Sequence, residues 1–133
     1  MAIVTMRLAA PAVSTAGNDL RTAVGRSPVA GTIVRCSYFA STTLTGAVTN
    51  NRTISLFNGG AVGTGVVSAA TKNFTNAVNA TAQSDTIITL SATPANLAVV
   101  LNDVLQWDSL HVGTGLADPG GLAEIDIQAN LAS

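Results

Sequence analysis

Apolar and polar residues alternate along this chain in short runs, and between the runs stand clusters of Asn, Asp, Gly and Pro. A period of two is that of a strand with one buried face, and the interrupting residues tolerate left-handed backbone or close local turns. The pattern predicts strands over residues 3–8, 20–24, 29–39, 52–57, 65–69, 86–90, 97–100, 104–112 and 122–128. The breaks fall at Asn50-Asn51, Asn58-Gly59-Gly60, 79–85, Pro94-Ala95-Asn96 and Asn102-Asp103. Short strands with turn signals every ~8 to 12 residues, together with abundant Thr and Val, predict an all-β fold, an antiparallel β-sandwich of the jelly-roll kind.

Alternation also names a core. Val34, Cys36 and Tyr38 fall on one face of their strand, and Ile33, Arg35, Ser37 and Phe39 on the other. Ile54 with Leu56, Ile88 with Leu90, and Leu105 with Trp107 form further apolar faces, all expected to meet between two sheets packed about 10 Å apart. Segment 103–127 reads as a single hairpin. Leu105 and Trp107 alternate with polar residues in its first arm, Ala123, Ile125 and Ile127 in its second, and Gly113, Gly115, Asp118, Pro119, Gly120 and Gly121 supply the turn between them.

Length and composition set bounds on this picture. The chain of 133 residues has room for one domain with a real core, spanning 1–133 without internal repeat, with residues 9–19 as an extended N-terminal arm or linker. Charged residues make up 10% of the chain, against ~25% in soluble domains. So uncharged a surface suits a protein that faces other subunits, because a lone soluble monomer normally carries more charge. A net charge of −1 and 4% aromatic residues leave little to neutralise phosphates or stack on bases, so no nucleic-acid partner is expected. No apolar run approaches the ~20 residues of a membrane span. The N-terminal segment has no basic region and Arg7 interrupts its apolar run, so it is not expected to act as a secretory leader.

Candidate chemistry is sparse. The single Cys36, in a strand-like run, reads as a small buried hydrophobe. With one Cys and one His, no transition-metal site is expected within the chain, and no cofactor is implied. Asp108 and His111, with a serine, supply the residue types of a hydrolytic triad, but residues three apart on a strand point to opposite faces and no G-x-S-x-G elbow is present. The acidic residues Glu124 and Asp126 share the polar face of one strand and read as a solvated edge. The glycine-rich run 59–65 lacks the Lys-Ser/Thr and helix of a phosphate-binding loop. No catalytic residue is therefore assigned.

The run Asn102-Asp103-Val104-Leu105-Gln106-Trp107-Asp108-Ser109, continued by His111-Val112-Gly113-Thr114-Gly115-Leu116-Ala117-Asp118-Pro119-Gly120-Gly121-Leu122, resembles the C-terminal part of head decoration, or capsid cement, proteins of tailed bacteriophages. Upstream the likeness is one of composition only. The resemblance implies a non-enzymatic virion protein on the outer surface of the capsid, which binds the major capsid protein and assembles with itself as a homotrimer at threefold or quasi-threefold positions. Arg7, Arg21 and Arg26, close together early in the chain, are then expected to meet an acidic lattice, and with His111 and Asp118 from the 103–127 segment they are the expected capsid or inter-subunit contacts. Two other readings share the composition: a carbohydrate- or receptor-binding sandwich, which would need Trp107 or Tyr38 as an exposed platform, and a tail-tube or fibre-base subunit.

Overall fold

The structure, a computed structural model, describes residues 2–130. Its strands pair as a nested ribbon. β1 (Ile3–Ala10) runs antiparallel to β10 (Gly121–Ala129), and β2 (Leu20–Arg26) to β9 (Val104–Val112). Further in, β3 (Gly31–Ala40) pairs with β6 (Asp85–Ile87) and β8 (Ala98–Val99), and β4 (Asn51–Asn58) with β5 (Val67–Asn73). Alternate pairs of the ribbon go to alternate sheets. The first sheet has the order β1-β10-β3-β6, with β8 also on β3; the second is β2-β9-β4-β5-β7, where β7 is Thr89–Leu90. This rolled ribbon is a jelly-roll sandwich, as the alternation and turn spacing predict.

Segment 103–127 is not a hairpin. Its arms, β9 and β10, lie in different sheets and face each other across the core. Alternation reports which face of a strand is buried and is silent about its neighbour. The residues between the arms, 113–120, are also more than a tight hairpin uses. They arch from one sheet to the other, with Gly113, Gly115 and Gly120 at positive φ.

Two further differences have local causes. Between Asp126 and Ile127 the β10–β3 register slips, so Asp126 lies opposite Arg35 and Ile127 opposite Ile33. The extra residue, Val34, bulges outward and reverses the alternation behind it. Ile33 is fully buried and Val34 is 40% exposed, the reverse of expectation, whereas Cys36 and Tyr38 point inward as predicted. The expected strand 86–90 divides at Ile88: β6 belongs to the first sheet and β7 to the second. At the crossing, the buried Ile88 donates its N–H to the Cys36 carbonyl at 2.8 Å.

Ile33, Ile54, Leu56, Leu105, Ile125 and Ile127 fill the space between the sheets around Trp107 and Tyr38, whose ring centroids are 5.9 Å apart at an interplanar angle of 52°. Such tilted pairs add roughly 0.5–1.5 kcal/mol beyond their buried area. The ends of the described chain are tied together, Ala129 donating to the carbonyl of Ala2 at 2.9 Å. Met1 and residues 131–133 lie outside the described residues.

Residues 9–19 do not stand off the domain as an arm. Ala9 and Ala10 end β1, and Val13 exchanges two backbone hydrogen bonds with Asp118, at 2.9 and 2.8 Å. The return path crosses the end of the sandwich beneath the 113–120 arch.

Candidate functional site

The central strands of the second sheet, β4 and β9, carry a polar cluster at each end. Arg52, near the start of β4, shares the inward parity of Ile54 and Leu56 and is fully buried. Burying a guanidinium is costly unless its donors are used. Here Nε donates to the Leu116 carbonyl at 2.6 Å, Nη1 to Ser109 Oγ at 3.1 Å, and Nη2 to the carbonyls of Ala16 and Asn18 at 3.0 and 2.9 Å. Ser109 in turn donates to Asp118 Oδ2 at 2.8 Å. Asp118 Oδ1 accepts from Tyr38 Oη at 2.6 Å and from the Gly120 N–H at 3.0 Å. Burial, and then the Asp118 charge, push the Tyr38 phenol well above its ordinary range. The cluster fastens the 11–19 return path and the 113–120 arch to the sandwich.

At the opposite end, Asp103 Oδ2 accepts from Asn58 Nδ2 at 3.0 Å and from the Val100 N–H at 2.9 Å, while Asn58 Oδ1 accepts from the Gly60 N–H at 2.9 Å. Ser27 donates its N–H to the Asp103 carbonyl at 2.8 Å and accepts from the Asn102 N–H at 2.8 Å. Loop 59–65, turn 100–103 and the turn after β2 are thus braced on one buried Asp–Asn pair. Gly60 and Gly63 supply the positive φ that the first of these loops requires.

The residues singled out from the sequence are placed apart. Arg7 lies on the outer face of the first sheet, 2.9 Å from Glu124, which also approaches Arg35 at 3.8 Å; Arg35 is further paired with Asp85. Arg21 lies on the outer face of the second sheet, with its guanidinium 4.1 Å from the Phe57 ring centroid and 3.4 Å from Asp108. Burial raises the Asp108 carboxyl above its ordinary value despite Arg21, and its Oδ2 has no protein partner. Arg26 is exposed and donates to the Asn102 carbonyl at 2.9 Å, its one hydrogen-bond partner among the described residues. The three arginines therefore form no single cluster.

His111 Nδ1 meets Asp19 Oδ1 at 2.6 Å, and its N–H donates to the same oxygen at 2.8 Å. Those bonds, the backbone one foremost, hold the Asp19 carboxyl below its usual value. Asp108 faces Arg21 instead, so the Asp108–His111 pairing considered from sequence is not formed. Asp118, expected as an outer contact, is 1% exposed and engaged inside the molecule. A loop rich in turn residues suggests solvent, but this one is drawn inward by Arg52. The available signal was an arginine at an inward-facing strand position, which demands a buried acceptor.

Two open recesses accompany these clusters. One, of about 420 Å³, is lined by Ala23, Gly25, Arg26, Val62, Val104 and Gln106 beside loop 59–65; the other, of about 430 Å³, is lined by Ser14, Thr42, Thr43 and Asp118 beside the arch. Gln106 Nε2 donates to the Gly63 carbonyl at 2.8 Å, holding the loop over the first recess. Among the described residues no group of three or more His, Cys, Asp and Glu is arranged to hold a metal ion. Trp107 is completely buried, so its ring offers no platform to a sugar.

Comparison of the chain with protein-family models, with curated proteins and with solved structures returned no match.

Proposed function

We propose that this chain is a non-enzymatic virion structural protein, a decoration or cement protein on the outer surface of a tailed-bacteriophage capsid, bound to the major capsid protein as a homotrimer at threefold or quasi-threefold positions. The observation that carries the reading is the 102–122 sequence run that resembles such proteins. That run contains β9 and the inter-sheet arch, and its polar residues Asp103, Ser109 and Asp118 all serve to brace loops. A protein whose task is to add rigid contact area across capsomer boundaries has use for such bracing, because a partner that binds the intact lattice and not the disrupted one stabilises it by mass action. The charge-poor surface, with Val62, Val66 and Val48 exposed, suits contact with other subunits.

Mass-resolved assembly of the purified chain, followed by co-sedimentation with expanded, DNA-free heads that lack it, tests the reading. A trimer that pellets with heads is expected. A monomer that stays in the supernatant and is retained on a glycan array would overturn the reading in favour of a carbohydrate module, and rings or tubes would overturn it in favour of a tail component.

A further inference from the structure

Arginine pairing differs sharply across this molecule. Arg7, Arg21 and Arg35 each lie within 4 Å of a carboxylate, and Arg52 makes four hydrogen bonds to protein acceptors. Arg26 is exposed and, among the described residues, has only the Asn102 carbonyl as partner. Most of its donors therefore face solvent at the rim of the 420 Å³ recess, whose walls are largely apolar: Ala23, Gly25, Val62 and Val104.

The surroundings are apolar and fixed. Val62 is 78% exposed on loop 59–65, and Val100 and Leu101 are each 59% exposed on the neighbouring turn. Single exposed valines are ordinary. These, however, stand on loops tied to the same Asp103–Asn58 pair, and the Asn102 carbonyl that receives Arg26 belongs to that turn. Because the loops are already braced, a partner meets a surface whose ordering cost has been met in folding. Asp103, next to the acceptor Asn102, is 6% exposed and engaged by Asn58 and Val100, and among the described residues Arg26 forms no ion pair.

Resting on the capsid reading above, we infer that this end of the sandwich is the lattice-facing end. Its recess takes an apolar side chain from an acidic segment of the major capsid protein, and Arg26 pairs with that segment's carboxylate. Charge complementarity selects the occupant: an unpaired cation beside apolar walls fits a carboxylate next to an aliphatic group, and a basic or purely polar segment leaves one half of the surface unused. Arg7, already paired with Glu124 on the first sheet, takes no part.

The test is co-sedimentation of wild type, R26Q, V62S, L101S and the control R7Q with the expanded heads, at two salt concentrations. All four substituted positions are exposed, and unchanged thermal melting of the free variants verifies their folds. Wild type and R7Q are expected to bind alike, and R26Q and V62S each about tenfold or more weaker, the scale of a central interface residue. The salt sensitivity of wild-type binding is expected to fall in R26Q. If wild type fails to pellet with heads, the capsid reading falls and takes the named partner with it. If wild type pellets and R26Q, V62S and L101S bind equally well, the capsid reading stands and the lattice-facing end is wrongly placed. Loss of self-association in R26Q and V62S, with head binding unchanged, would assign the recess to a second copy and also overturn the inference.

Discussion

Arg52 and Asp118, opposite charges from a sheet strand and an inter-sheet arch, are coupled through one hydroxyl: Ser109 accepts from the guanidinium and donates to the carboxylate. Neither charge faces solvent. Around them the return path 11–19, the arch and the core residue Tyr38 are fastened to a single point.

Removing one member of this cluster leaves the rest buried without compensation. R52M is expected to lower the unfolding free energy by about 3–5 kcal/mol, the scale for breaking a buried charge pair. R52K is expected to be nearly as damaging, since an ammonium cannot reproduce the guanidinium fork that reaches Leu116, Ser109, Ala16 and Asn18. The double variant R52M/D118N should lose less than the sum of its parts. Urea denaturation followed by Trp107 fluorescence measures these variants and D118N alone, and additive losses would show that the two residues act independently.

Asp108 gives stability a pH dependence of definite sign. Burial raises its folded value above the ordinary 3.8, so the folded chain binds this proton more tightly than the unfolded chain. Its contribution is therefore unfavourable at neutral pH, and the penalty fades as pH falls through the raised folded value toward 3.8. D108N keeps an acceptor for Arg21 and removes the titration. The stability of D108N relative to wild type is expected to be greatest near pH 7 and to decline on acidification; a constant difference from pH 7 to 4 would refute this assignment.

Cys36 lies in the core with its thiol pushed up to about 12 by burial. The thiolate is the reactive form, so the native protein at pH 8 should react with a thiol reagent only as fast as it opens, while urea-unfolded protein reacts at once. Rapid stoichiometric labelling of the native chain would contradict the packing described for β3.

The Asp19–His111 clamp holds the return path against the end of β9. Asp19 is held below its usual value, so its contribution is present above 3.8 and is lost as pH falls through the lower folded value. In D19A the His111 amide loses its acceptor and is expected to exchange with solvent faster, with little change in global stability. Hydrogen exchange at His111 in wild type and D19A checks this; equal rates would mean that the return path is held without the clamp.

Much of the fold was legible because strand faces follow from alternation alone. Leu105, Trp107, Ile54 and Leu56 are buried as their spacing requires. Pairing was less legible, since a strand with an apolar face can lie beside a neighbour or across the core from it, and β9 and β10 do the latter. The bulge at Val34 left no mark in the residues themselves, because valine and isoleucine exchange faces without altering the apolar pattern. The polar clusters were half legible. The parity of Arg52 with Ile54 and Leu56 announces a buried cation, but its acceptors come from residues 34 to 64 positions distant, which only the folded chain assembles.

The capsid reading is tested most directly by calorimetry of expanded heads with and without the saturating chain. The reading predicts that the melting transition of the heads moves to higher temperature as the chain is added and stops moving once the sites are full. A transition that stays in place at every concentration of chain would contradict it.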